Sequence, residues 1–453
     1  MPKRSRVLRH QRKFIGHFDV VNPDAAGIDG GDESHFVSVP EDRSVEPVRE
    51  FGTFTEDLHA LADWLLACGI THVAIEATGV YWVPLYEILE ERGLKPQLID
   101  SRSIGRRNKK TDVLDCQWIR QLHTFGLLDA AFRPPNEILP LRAIVRQRGM
   151  LIERAAQNIQ RMQKSLNLMN VKLHVVLSDI VGVSGMRIIR SIIAGKHNPA
   201  ELAALRDPSC KASEQTFVTA LSGNYRREHL FALRQAVESF DFENRLIADC
   251  DAQIEQELQQ LNKQTTVEKA KKSKAKRRKN RLHFDGNTIL HELAGINLTA
   301  IDGLEASSVL TILSETGTDM SPWNSGKHWA AWLTLAPNNR ITGGKPIRKK
   351  GPRIHPNRAA QAFRLAAQTL ERANCALGAF FRRIRARYGR QSAIKATAHK
   401  LALIFYSMLK NKTAYVDPGV DYYEQRYRER RLNSLIRQAQ ALGCTLVPAM
   451  EVH

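Results

Sequence analysis

Between residue 25 and about residue 130, short apolar or alternating runs trade places with longer stretches of helical period. "AAGID", "HFVSVP", "HVAIEA" and "KPQLID" are the right length and composition for strands. "DLHALADWLLACG" and "YEILEERG" carry apolar residues at helical spacing and stop at Gly69 and Gly93. A glycine just past the last apolar position is a helix-stop signal. A further helix is predicted to start within "KKTDVLDCQW", residues 109–118. Strands alternating with helices imply an α/β sandwich.

The period then changes. Leu141, Val145, Ile152, Ala155, Ile159, Met162, Leu166 and Met169 follow alternating steps of four and three, with Arg148 as the polar interruption. A second seam runs through Leu233, Val237, Phe240, Ile247, Ile254, Leu258 and Leu261, interrupted at Asn244 and Asp251. Two heptad seams with helical material between them predict an antiparallel coiled-coil arm, either a self-association device or an ordinary bundle. "EKAKKSKAKRRKNR" (268–281) is a low-complexity basic block, read as a linker able to touch phosphates. "LTAIDGLEASSVLTILSETG" reads as helix, glycine turn, helix, and "DYYEQRYRERRLNSLIRQAQALG" as a charged amphipathic helix. The expected organisation is a basic arm (1–24), an α/β domain (25–135), a coiled-coil arm (136–265), a basic linker (266–288), a helical domain (289–415) and a helical tail (416–453).

Composition narrows the partner. The 453 residues carry a formal net charge of +20 and 43% hydrophobic residues. Lysine and arginine in that excess favour a polyanion, nucleic acid first, because they neutralise phosphates and release counterions. Six cysteines are scattered without a CxxC pair, which argues against a zinc site or a disulfide framework. No window has the apolar length of a membrane span, and "MPKRSRVLRHQRKF" lacks the apolar core of a signal peptide. A cytoplasmic protein with no membrane partner is expected.

Acids in such a basic chain call for a reason. Asp112 and Asp115 stand at i and i+3 behind Lys109 and Lys110, so on a helix they share a face. Asp29 ends the first strand in "GIDGG", and Glu76 follows the strand "HVAI". Each alone has an ordinary structural use; Asp112, for example, could complement a helix dipole. Together, from strand, strand and helix in ribonuclease-H-like order, they point to a divalent metal site. Hard cations such as Mg²⁺, with Mn²⁺ as a substitute, take carboxylate oxygens, and phosphodiester chemistry uses them.

"GIDGG", "AIEATGVYW" and "KTDVLDCQW" resemble the Asp-Glu-Asp-Asp set of the insertion-sequence-110 family of transposases. The likeness continues through "GLLDAAFRPP", "MQKSLNLMN", "LSDIVGVSG", "WLTLAPNNRITGGK", "NRAAQAFRLAAQTL" and "KATAHKLALIFYSMLKNKTAYVD". It implies a RuvC-like N-terminal domain, a coiled-coil arm and a helical transposase domain. It also implies DNA recombination guided by a structured bridge RNA, and a dimer that can assemble to a tetramer on DNA. "GRRNKKTD" departs from the family's "GRKTD", although the lysine before the threonine is kept.

A second departure lies in "RITGGKPIRKKG" (340–351), where relatives usually place a serine before the double glycine and this chain has Thr342. The resemblance makes that position the nucleophile that links covalently to DNA. A threonine hydroxyl can attack phosphorus, but its methyl is bulkier and stiffens χ1. Gly343 and Gly344 would admit a phosphate closely, and Lys345, Arg348, Lys349 and Lys350 could offset the developing charge. Read without the resemblance, the stretch is a glycine turn beside a solvated basic strand. Ser325 and Ser314 are the next nucleophile candidates. The alternatives to a transposase are a RuvC-like nuclease acting on branched DNA and a non-catalytic nucleic-acid-binding relic.

Overall fold

The computed structural model describes residues 19–77, 79–100, 104, 111–263, 280–337, 341–342, 345–346 and 357–445. The chain divides into two compact units, Met1–Arg133 and Pro134–His453.

The first unit holds β1 (Ala25–Gly30), β2 (Ser34–Ser38), β3 (Val48–Gly52), α1 (Thr55–Ala67), β4 (His72–Glu76), α2 (Trp82–Glu91), β5 (Lys95–Ile99) and α3 (Asp112–Thr124). Its five-stranded sheet has the order β3-β2-β1-β4-β5. β1, β2 and β3 form an antiparallel meander, while β4 runs parallel to both β1 and β5. That mixed sheet with flanking helices is ribonuclease-H-like, as expected. Strand residues alternate between faces. Ile28, Val73 and Ile75 pack with Leu61 and Leu65 of α1 and Leu85 and Leu89 of α2. Ala74 and Ile99 pack instead with Ile119 of α3. Gly69 and Gly93 end α1 and α2 at φ +67° and +80°, the left-handed conformation that glycine adopts without a Cβ clash.

Among its described residues the second unit is helical apart from one small hairpin. It contains α4 (Leu139–Leu168), α5 (Leu173–Val176), α6 (Val183–Ile193), α7 (Pro199–Ala203), α8 (Glu214–Ala220), α9 (Arg227–Lys263), α10 (Gly286–Ala294), α11 (Ala306–Thr316) and α12 (Gly326–Trp332). The hairpin β6 (Ile341–Thr342) and β7 (Lys345–Pro346) follows. The unit ends in α13 (Arg358–Thr369), α14 (Ala376–Tyr388), α15 (Arg390–Asn411) and α16 (Val420–Ala441).

Helices α4 and α9 lie antiparallel: Met162 and Leu166 cluster with Leu233 and Val237, and Leu151 and Ala155 with Ile247. The buried line on α4 drifts from the heptad expectation. Leu151 and Asn158 are buried, whereas Ile152 and Ile159 sit half-buried on the shoulder. A straight helix of 3.6 residues per turn drifts off a strict heptad in this way. The apolar seam of α4 is therefore occupied by α9 of the same chain. Near its start α4 is held to α11, where buried Glu315 accepts from Arg142 Nε at 3.0 Å and Arg146 Nη2 at 2.7 Å.

The predicted helix, turn and helix of 298–317 is a single 3₁₀ turn (Leu298–Ala300), then Gly303, then α11. Gly303 has φ +84°, and a Cβ there would lie 2.9 Å from the Ala366 carbonyl oxygen. The tail forms a helix, α16, with no buried residues. Most of the basic block 268–281 lies outside the described residues. All six cysteines are free thiols, and among the described residues no helix is long and apolar enough to cross a membrane.

Candidate catalytic centre

Register places the first two acids. β1 pairs with β4 so that Ile28 faces Ile75, and the next residues along these parallel strands are Asp29 and Glu76. Both therefore leave the same edge of the sheet, the carboxyl edge where open α/β sheets gather their sites. Glu76 in turn faces Ile99 of β5, so Asp100 follows at the same edge.

Helix α3 brings the other two. Its last turn meets the chain entering β1: Asn22 Nδ2 donates to the His123 carbonyl at 2.8 Å and Val21 N to the Thr124 carbonyl at 2.9 Å. Its middle lies over Gly27, where a Cβ would come within 2.3 Å of Arg120 N and 2.5 Å of Cys116 O. Arg120 Nε also donates to Ser38 Oγ at 3.2 Å, and Ser38 is the β2 partner of Gly27. The helix thus runs antiparallel to β1, and its first turn, with Asp112 and Asp115, points toward the end that carries Asp29. Thr111 caps that turn by accepting from Leu114 N. The electrostatics agree with this placement: burial, then the charge of Asp29, pushes the Cys116 thiol up to about 12.

The sequence missed Gly27 as the seat of α3, although a glycine inside a strand signals close approach of another backbone. It also passed over Asp100, though "QLID" ends in an acid as "GID" and "AIE" do. The last glycine of "GIDGG" has a structural use. Gly31 N donates to Ser34 O at 2.9 Å, and a Cβ on Gly31 would meet that oxygen at 2.8 Å.

The donor set fits a hard divalent cation: four carboxylates from two strand ends and one helix turn. Glu76, Asp112 and Asp115 make no salt bridge among the described residues. The oxygens of the four acids are not drawn together in threes within 4.8 Å. Among the described residues the one trio that close is Asp302, Cys375 and Asp417; Asp302 accepts from Tyr415 Oη, and the other two serve the start of α14. Ala376 N donates to Asp417 Oδ1 at 3.1 Å and Gly378 N to Cys375 Sγ at 3.3 Å. Burial, reinforced by Asp302 and Asp417, pushes the Cys375 thiol up, so it stays protonated and is a poor ligand for a hard cation.

The loop expected to carry the nucleophile is described only in part. Thr342 of β6 faces Lys345 of β7 across a two-residue connection. Gly343, Gly344, Arg348, Lys349 and Lys350 lie outside the described residues, as do Lys109 and Lys110. The two reserve serines already have structural duties. Ser314 is fully buried in α11 with its hydroxyl on the Thr311 carbonyl, and Ser325 caps α12.

Comparison with known proteins separates the two ends of the chain. Residues 26–171 match a transposase family of the IS110 DEDD type, and residues 296–382 match the transposase family IS116/IS110/IS902. No curated protein matches the chain. The first match contains Asp29, Glu76, Asp112 and Asp115, the second contains Thr342, and together they span about half of the sequence. The chain belongs to the IS110 family of transposases, enzymes that recombine DNA.

Proposed function

We propose that this transposase cuts DNA strands at a divalent-metal centre held by Asp29, Glu76, Asp112 and Asp115. Thr342 supplies the hydroxyl that takes up the cut strand, and a structured guide RNA selects the sites. The observation that carries the reading is the Ile28–Ile75 register, which sends Asp29 and Glu76 out of one sheet edge while α3 directs Asp112 and Asp115 to it. Mg²⁺, or Mn²⁺ in its place, would polarise the phosphate and stabilise the departing oxygen when bound.

The Oγ1 of Thr342 forms a bond to phosphorus as the bond from phosphorus to a sugar oxygen breaks. The hydroxyl proton passes to a base, and the released sugar oxygen gains a proton. Attack by another sugar hydroxyl then reverses the step and joins a new strand. Lys345, Arg348, Lys349 and Lys350 would offset the charge that builds on the phosphate. The formal charge of +20 is compatible with a guide RNA beside the DNA. Assembly of two to four subunits is part of the same reading and uses surfaces other than the α4 seam, which α9 covers.

Denaturing gels test the nucleophile. Thr342→Ser should keep or raise recombination, and Thr342→Val, nearly isosteric, should eliminate the covalent protein–DNA adduct. A trapped adduct in the valine variant would assign the attack elsewhere. Sequencing the RNA that purifies with the protein tests guidance: one discrete structured species supports it, and random cellular RNA contradicts it.

A further inference from the structure

Three cations meet where α14, α15 and α16 pack, and no carboxylate forms a salt bridge with any of them among the described residues. Arg383 of α14 places its guanidinium carbon 3.9 Å from the Tyr427 ring centre and 4.6 Å from that of Tyr423. Lys400 of α15 holds its Nζ 4.2 Å from the ring centre of Phe380. Arg430 of α16 is close enough to act on both charges, and Glu424 is the carboxylate that acts on Arg383. Burial, then Arg383 and Arg430, lowers the pKa of Lys400.

Ring faces attract cations, but they offer no lone pair to an N–H donor. The donors accordingly remain unanswered. Arg383 Nη1 and the Tyr423 hydroxyl are both buried without a hydrogen-bond partner. Buried polar groups are rarely left so, and the half-buried Arg383 and Lys400 repel each other. The arrangement is therefore costly as it stands. What would relieve it is an anion with several acceptor oxygens. Lys400, Phe380 and Tyr423 also border a cavity of about 640 Å³, whose remaining walls are mostly apolar.

We propose that the α14–α15–α16 junction binds a phosphodiester of a nucleic acid, with Lys400, Arg383 and Arg430 neutralising the phosphate and the Tyr423 hydroxyl donating to it. A nucleic acid is favoured over other phosphates because the chain is a DNA transposase. Arg383, Lys400, Tyr423 and Arg430 lie beyond residue 382, where the second family match ends, so that match does not supply them.

The test uses the full-length protein, a labelled DNA duplex and a labelled RNA hairpin, with fluorescence anisotropy over a range of salt. Lys400→Gln combined with Arg430→Gln should weaken one probe about tenfold and make its log affinity less steep in log salt by about one to two. The control, Arg431→Gln with Arg437→Gln, removes the same charge from exposed positions of α16 and should change both far less. Loss on the duplex assigns the site to DNA, and loss on the hairpin assigns it to RNA. No loss on either probe, or an equal loss in the control, overturns the proposal. Because Arg430 is exposed, Arg430→Gln alone carries the same comparison if the double variant melts lower than the native protein.

Discussion

Arg148 and Asp251, the charged interruptions of two separate apolar seams, are each other's partner. Arg148 Nε lies 2.5 Å from Asp251 Oδ1, with both side chains almost wholly buried between α4 and α9. The pair is also satisfied from outside the arm. Arg148 Nη2 donates to the carbonyls of Asn280 and Arg281, and His283 Nδ1 lies 2.6 Å from Asp251 Oδ2. The chain leaving the basic block is thus fastened to the middle of the arm. Replacing one partner strands a buried charge, so Arg148→Met should destabilise the protein by about 3–5 kcal/mol. Arg148→Met with Asp251→Leu should recover most of that loss. Urea unfolding followed by circular dichroism measures both; equal loss in the single and double variants would show that the pair is not coupled.

Gly27 controls how near α3 comes to the sheet. A methyl there would meet backbone atoms of Arg120 and Cys116, which cannot swing aside as a flexible side chain can. Gly27→Ala should therefore displace α3, at about 1–3 kcal/mol in stability. Asp112 and Asp115 ride on that helix, so strand cleavage should fall on the order of a hundredfold although all four acids remain. A variant with native cleavage would mean that the position of α3 does not set the site.

Acid should weaken the first unit before it protonates most carboxylates. His123 is buried on α3, and burial, then the charge of His72, lowers its pKa to about 4. It is neutral when folded and takes a proton near pH 6.5 when unfolded. The folded state binds fewer protons between those values, so stability falls as pH drops from about 6.5 toward 4, by about 3 kcal/mol in all. Thermal melts of the native protein and of His123→Gln should diverge across that window and run parallel above it. Parallel slopes throughout would contradict this origin.

Glu315 marks a lower window. Burial alone would raise its pKa, but hydrogen bonds and charge from Arg146 and Arg142 more than offset that and hold it below the usual value. Its contribution is present above pH 4.5 and is lost as pH falls through the lower folded value. Glu315→Gln should cost about 2 kcal/mol at neutral pH and flatten the melting curve below pH 4.5, measured by calorimetry.

Much of this was legible in the chain because local pattern decides it. The strands ending at Asp29 and Glu76, the helix starting at Asp112 and both seams follow from period and stop signals. β3 was not legible: Arg49 and Glu50 make "VREFG" look like a loop, and only pairing with β2 makes it an edge strand. The link between Arg148 and Asp251 was also hidden, since each seam shows its own interruption and nothing local joins residues 103 apart. The cations Arg383, Lys400 and Arg430 stand on three helices, where the sequence shows only solvated charge.

The most direct test of the metal centre is strand cleavage by Asp29→Asn, a change of one carboxylate to an amide of the same shape. DNA carrying the element's ends would be given to the native protein and the variant, each with its co-purified RNA, in Mg²⁺, in Mn²⁺ and in chelator. The account predicts cleavage by the native protein in either metal, none in chelator, and none by the variant, with folding and RNA binding retained. Cleavage by Asp29→Asn at the native rate, or cleavage that a chelator leaves undiminished, would contradict it.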